Sequence, residues 1–322
     1  MKCLVTGASG FIGTHLVRYL LDAGHEVRAV STSVPARNYF DEKLENVQVA
    51  RSAVDTADWL EVCRGIEVVF HLAARVHRGD NSSPSARLIY FQDNLEMTRA
   101  LAEAALKARV RRFVFTTSVA VYGAASVAGE AFREDSPVAP RPDSVYAQSK
   151  RAAEEFLLSC VALEPVIVRL PLVYGAGVKG NMATLMRLAS SSVPLPLAGI
   201  DNRRSLINVS NCVDFLLTAA CHPNAGGQVL LASDGEDVVT PELIRMIARE
   251  LRKPVRLFSM PPTLLRATCS LFGQKARFEK LAGSFQIDPA ASCALLGWSP
   301  KTSLAEGIAQ MCATARDRKS GN

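Results

Sequence analysis

No stretch of the 322 residues approaches the roughly 18 consecutive apolar side chains of a membrane-spanning helix, so no membrane insertion is expected. The first apolar run, Cys3 to Val5, is broken at once by Thr6-Gly7, which does not read as a secretory leader. The expected location is the cytoplasm. Eight cysteines stand at positions 3, 63, 160, 212, 221, 269, 293 and 312, and no two form a C-x-x-C pair. None lies beside a histidine at zinc spacing. No disulfide framework and no metal are therefore expected, and the thiols read as small buried hydrophobes. Repeats and low-complexity tracts are missing too.

Acidic charge is scarce in one region. Between Arg245 and Lys280 nine basic residues face only Glu250 and Glu279, within a chain of net charge +6. No nucleic-acid-binding motif accompanies these charges, so no nucleic-acid partner is expected. A solvated face turned partly toward a phosphate-bearing ligand is the simpler account.

What is present is an ordinary globular composition, 48% hydrophobic and 21% charged. The first half alternates short apolar runs with helical patterns. Cys3-Leu4-Val5, Val27 to Val30, Val68 to Leu72, Phe113 to Thr117 and Val166 to Leu170 read as strands. Residues 11 to 23 read as a helix ended by Gly24, and Asn94 to Ala108 as another. Strand and helix in alternation predict an α/β fold with a parallel sheet covered on both faces. After about residue 178 the alternation weakens. Pro194-Leu195-Pro196-Leu197 cannot be a central strand, and Thr240-Pro241 reads as an N-cap with a first-turn proline. The expected division is a dinucleotide-binding domain over 1–178, rejoined by 206–233, and a smaller mixed α/β domain over 179–205 and 234–322. In that reading both Leu206 to Ala220 and Val229 to Ala232 return to the first sheet.

Thr6-Gly7-Ala8-Ser9-Gly10-Phe11-Ile12-Gly13 joins the first strand to the first helix. Gly7 suits a tight turn, Gly10 lets the backbone approach a pyrophosphate, and Gly13 lets the helix pack close. The N–H groups at the helix start, from Phe11 and Ile12 on, then face the phosphates with the positive end of the helix dipole. Further on, Tyr146 and Lys150 form a Y-x-x-x-K pair that a helix places on one face. A free phenol has a pKa of ~10 and is a poor base; a neighbouring ammonium is expected to lower it, so that Tyr146 exchanges a proton with an alcohol or ketone.

The glycine spacing, with Phe-Ile before the last glycine, resembles the extended short-chain dehydrogenase/reductase family (the NAD-dependent epimerases and dehydratases). That resemblance covers almost the whole chain and implies a Rossmann doubly wound sheet with a smaller nucleotide-sugar domain. Phe115 to Gly123 resembles the family's S-S-x-x-V-Y-G segment, which implies Ser118 as the catalytic hydroxyl beside Tyr146 and Lys150. Asn94 matches a helix asparagine that props the lysine. His71-Leu72-Ala73-Ala74 resembles the strand end along the dinucleotide. Leu72, Ala73, Ala74 and Thr116 are then cofactor contacts, and His71 is structural. The family's dehydratases carry Asp-Glu after the catalytic hydroxyl; Val119-Ala120 here argues against a 4,6-dehydratase. Family members that prefer NAD often carry Asp where this chain has Ser31. With Arg37 downstream, Ser31 favours NADP(H), leaving NAD(H) open. Ala53 replaces an adenine-contacting Asp of many relatives.

Arg169-Leu170-Pro171-Leu172-Val173-Tyr174-Gly175 resembles the family's R-P-x-x-V-Y-G strand, with Leu170 where Pro is usual, and Val178-Lys179-Gly180-Asn181 and Arg203-Arg204-Ser205 resemble the segments around a UDP-sugar. They imply substrate contacts by Asn181, by Arg203 or Arg204, and by Arg277 as a second diphosphate clamp. Enzymes of bacterial surface-polysaccharide (O-antigen) synthesis are similar, above all the UDP-4-keto-6-deoxy-N-acetylhexosamine 4-reductases, so the expected activity is a 4-ketoreductase. The alternative is a UDP-hexose 4-epimerase with bound NAD, and a remote one is a dinucleotide-sensing regulator. A homodimer through helices including that of Lys150 is common among such enzymes; the sequence leaves the assembly open.

Overall fold

A computed structural model describes residues 1–32, 42–48, 56–76, 83–123, 125–126, 130–191, 193–271 and 281–320. Seven parallel strands form the main sheet. They are β1 (Lys2–Thr6), β2 (Glu26–Ser31), β3 (Leu44–Gln48), β4 (Val68–His71), β5 (Arg112–Ser118), β6 (Pro165–Leu170) and β9 (Val229–Leu231). Their order is β3-β2-β1-β4-β5-β6-β9, an α/β sheet that matches the expected fold class. Between them come α1 (Phe11–Asp22), α2 (Thr56–Cys63), α3 (Pro84–Phe91), α4 (Met97–Lys107) and α5 (Val145–Ser159).

Alternation along each strand explains why both faces are covered. Cys3, Val5, Val68, Phe70, Val114, Val166 and Val168 enter one core, shared with Leu16 and Leu20 of α1. Leu4, Val69, Phe113, Phe115 and Ile167 enter the other, shared with Trp59, Leu101 and Leu157. Strands apolar on both sides belong in a parallel sheet between helix layers. The chain order reverses between β1 and β4, and in such sheets ligands bind outside the carboxyl ends at that point. Among the described residues, no helix is long and apolar enough to cross a membrane.

Beyond β6 lie β7 (Leu172–Tyr174), α6 (Gly180–Ala189), β8 (Arg204–Asn208), α7 (Val209–Cys221), β10 (Asp237–Val238), α8 (Thr240–Glu250) and α9 (Pro262–Leu271). Leu206 does not return to the main sheet. It pairs with Leu172 in a second sheet of order β10-β8-β7. The following helix, α7, does return: Val213, Phe215 and Leu216 pack into the α1 core, and β9 pairs with β6. Thr240 is not an N-cap. Val239 holds that position, and the Thr240 hydroxyl donates instead to the Leu281 carbonyl at 2.9 Å.

Candidate active site

The glycine loop leaves β1 at the sheet's switch point. Gly7 has φ +70°, and a Cβ there would stand 2.7 Å from the Ala73 amide nitrogen, so loop and β4 exit touch backbone to backbone. A Cβ on Gly13 would come within 2.1 Å of the Gly7 carbonyl oxygen. Gly13 thus lets α1 close on its own loop, rather than on the sheet. Gly10 starts α1 without any side-chain cap, so the first N–H groups of Phe11, Ile12 and Gly13 are left to a ligand. These features fit a pyrophosphate. Ser31 is buried at the end of β2, beside the same crevice. Leu72, Ala73 and Ala74 are half-buried past the end of β4. Arg37, Ala53 and Arg277 lie outside the described residues.

His71 is fully buried. Its Nδ1 lies 2.6 Å from the Thr6 hydroxyl and its Nε2 2.9 Å from that of Thr98, while its ring stacks on Phe115. Burial, aided by Lys150, pulls its pKa down to about 3. A neutral ring with both nitrogens engaged is a brace between β1, β4 and α4. Thr116 also joins β5 to β4, donating to the His71 carbonyl at 3.3 Å.

Ser118 caps a short 3-10 turn (Val119–Tyr122), accepting from the Ala120 N–H at 3.2 Å, and its hydroxyl acts on the Tyr146 phenol to lower its pKa. Tyr146 and Lys150 share a face of α5, which Ser144 caps by accepting from the Ala147 N–H. Lys150 is buried with its Nζ 3.8 Å from the centre of the Phe115 ring. Burial pushes the Tyr146 phenol up to about 12, although the Ser118 hydroxyl works the other way. It pulls Lys150 down to about 7. The sequence-based expectation of a phenol lowered by its ammonium neighbour is not what the structure has. Desolvation penalises the charged form of both groups; Ser118 opposes it at Tyr146 and Glu154 opposes it at Lys150.

Asn94 is buried in a five-residue π-helical segment, Gln92–Glu96, between α3 and α4. Its Oδ1 accepts from the Arg75 N–H at 2.7 Å, and its Nδ2 donates to the Arg75 carbonyl at 3.2 Å and to Ser149 Oγ at 2.9 Å. The asparagine therefore ties the β4 exit to the turn of α5 between Tyr146 and Lys150.

The sequence-predicted substrate residues lie apart from this cluster in the chain. Asn181 is exposed in the first turn of α6. Arg203 is exposed, whereas Arg204 is half-buried and donates from Nε to the Gly283 carbonyl at 2.9 Å. Beside Val178 opens a cavity of about 490 Å³ that Met186, Arg187, Leu251, Lys253 and Met311 help to line; Ser118, Tyr146 and Lys150 do not. Sequence reasoning passed over Thr6, Thr98, Ser149 and Glu154. Glu154 had a visible signal, standing four residues past Lys150 on the same helical face.

Residues 3–232 match the model of the NAD dependent epimerase/dehydratase family. The chain belongs to that family. A UDP-glucose 4-epimerase of Vibrio cholerae is 36% identical over 312 residues, covering 95% of this chain and 93% of that protein. A ceramide reductase of Caulobacter vibrioides is 29% identical, covering 94% and 88%. The structure of MoeE5 in complex with UDP-glucuronic acid and NAD is 27% identical, covers 99% of this chain and 100% of that one, and superposes with a TM-score of 0.76. The chain is thus an enzyme of an NAD-dependent nucleotide-sugar oxidoreductase and epimerase family.

Proposed function

We propose that this protein removes and returns hydride at C4 of a UDP-sugar, as a 4-epimerase. The observation that carries the chemistry is the meeting of Ser118, at the end of β5, with Tyr146 and the buried Lys150 on one face of α5. A bound dinucleotide supplies hydride exchange. On oxidation Tyr146 as its phenolate, favoured against burial by the Lys150 ammonium and by Ser118, takes the C4 hydroxyl proton, and as the phenol it gives that proton back on reduction, while Ser118 holds the sugar oxygen in line. Lys150 supplies positive charge behind the phenol and a donor for the nicotinamide ribose. Asn181 and the Arg203-Arg204 pair serve the diphosphate. The choice of epimerase rests on the 36% identical relative of that name.

A second reading is the 4-ketoreductase of a UDP-4-keto-6-deoxy-N-acetylhexosamine in surface-polysaccharide synthesis. Ser31 favours it: no acid ends β2, which suits an exchanging NADP(H). Absorbance at 340 nm separates the two readings. The epimerase interconverts UDP-glucose with UDP-galactose, or their N-acetyl forms, without net NAD(P)H oxidation. Stoichiometric oxidation with a 4-keto sugar moves the assignment to the reductase. In either case Tyr146→Phe lowers kcat by about 10²–10⁴, and a variant turning over at the parent's rate overturns the site.

A further inference from the structure

The helix that presents Tyr146 and Lys150 carries a third inward residue. Tyr146, Lys150 and Glu154 recur every four positions on α5, and Glu154 is fully buried. Arg169 of β6, itself buried, donates from Nε to both carboxylate oxygens at 3.3 Å and from Nη2 to Oε2 at 2.8 Å. Arg151 stands 3.5 Å from Oε2. Arg169 also donates from Nη1 to the Tyr122 hydroxyl at 2.8 Å and lies over the Tyr122 ring. Tyr122 ends the turn that Ser118 caps. The network therefore joins the segment bearing Ser118 to the helix bearing Tyr146.

We propose that Glu154 is a positioning residue: clamped by Arg169 and through it tied to Tyr122, it holds a fixed negative charge one turn from Lys150 and keeps that side chain an ammonium. This rests on the Ser118–Tyr146–Lys150 reading of the site. A buried ion pair gains little over well-packed apolar residues, so its consequence here lies in the field it sets. Lys150 makes no ion pair among the described residues. The groups packed around it are His71 from β4, neutral between two threonines, the Phe115 face from β5, and Tyr146 and Glu154 on its own helix. Asp93, on the π-helical segment, is turned to Arg75 at 2.7 Å. Against the burial that pulls Lys150 down, Glu154 is the charge that pushes it back up.

The test is the pH profile of kcat/KM, with bound dinucleotide, for the parent, Glu154→Gln, Glu154→Gln/Arg169→Gln, Tyr122→Phe and Tyr146→Phe. Above the Lys150 pKa the ammonium is lost and kcat/KM falls. Removing Glu154 moves that falling limb toward acid by roughly one pH unit, the low end of the effect of a nearby opposite charge. Activity above the limb then drops about tenfold while activity well below it stays near the variant's own maximum. The double variant spares the fold an uncompensated arginine; because a positive charge leaves with the negative one, its limb moves the same way but by less. Tyr122→Phe keeps the charge, so it lowers kcat without moving the limb. If both Glu154 variants retain the parent's limb while Tyr146→Phe is inactive, the proposal is overturned and the site reading stands. An active Tyr146→Phe overturns the site reading itself.

Discussion

At Gly7 a single methyl group is incompatible with the site in two ways. The residue sits at φ +70°, and its added Cβ would press on the Ala73 nitrogen at 2.7 Å. A left-handed conformation costs an alanine about 1–2 kcal/mol. Relieving it by shifting the loop off the β4 exit weakens dinucleotide binding by roughly tenfold, since about 1.4 kcal/mol is a factor of ten. Gly24→Ala is the control: its φ is +83°, yet a Cβ there meets nothing within 4 Å, so it costs stability and leaves affinity unchanged. Titration of cofactor fluorescence checks this; equal weakening in both variants would sink the close-approach argument. The tight turn at Gly7 was legible in sequence because a missing side chain is itself the signal, and Gly13 was legible as a close approach, though to the Gly7 carbonyl and not to the sheet. The titration of Tyr146 and Lys150 was not, because the burial that pushes the phenol up to about 12 and pulls the ammonium down to about 7 is built by the folded chain; the Phe115 ring under Lys150 stands 35 positions earlier.

Among the elements, strands of the main sheet were the most legible, because apolar side chains on both faces leave a parallel sheet as the natural solution. β8 was not, since its run Leu206-Ile207 would be equally content in either sheet; only its pairing with Leu172 and Val173 decides. Likewise the stretch beginning at Asn94 read as a plain helix. The structure continues the helix from Pro84 with a π-helical segment inside it. Such a segment is set by partners, here Arg75 and Ser149, and leaves no periodic mark. Asn94→Ala deprives the Arg75 N–H, the Arg75 carbonyl and the Ser149 hydroxyl of a buried partner. An unsatisfied buried group costs about 1–3 kcal/mol, so the urea midpoint should fall by that equivalent. Turnover should fall with it, because Ser149 also donates to the Tyr146 carbonyl at 2.8 Å. A variant with an unchanged midpoint and rate would show that the asparagine braces nothing.

Across the whole molecule, the chain leaves the main sheet after β6 and twice returns to it, as α7 and as β9. The returning helix is fastened by one carboxylate. Asp214 of α7 accepts from the Tyr19 hydroxyl of α1 at 2.5 Å, from Trp298 Nε1 at 2.7 Å and from Lys301 Nζ at 2.6 Å. Trp298 packs into the α1 core, but its second function, donation to an acid 84 positions earlier, has no sequence signature. Burial alone would raise the Asp214 pKa, but Lys301, Tyr19 and Trp298 together hold it below the usual value. An unfolded aspartate titrates near pH ~3.9. Below about that pH the unfolded chain binds the extra proton first, so the stability from this group is present above it and is lost as pH falls through the lower folded value. Asp214→Asn should therefore lose about 2–3 kcal/mol at pH 7, the scale of hydrogen bonds to a charged group. Its deficit against the parent should shrink as pH drops from 5 toward 3. Urea denaturation of both proteins across that range measures it. A deficit constant with pH would mean that the cluster acts by shape alone, and that the carboxylate's charge does not fasten the returning helix to α1.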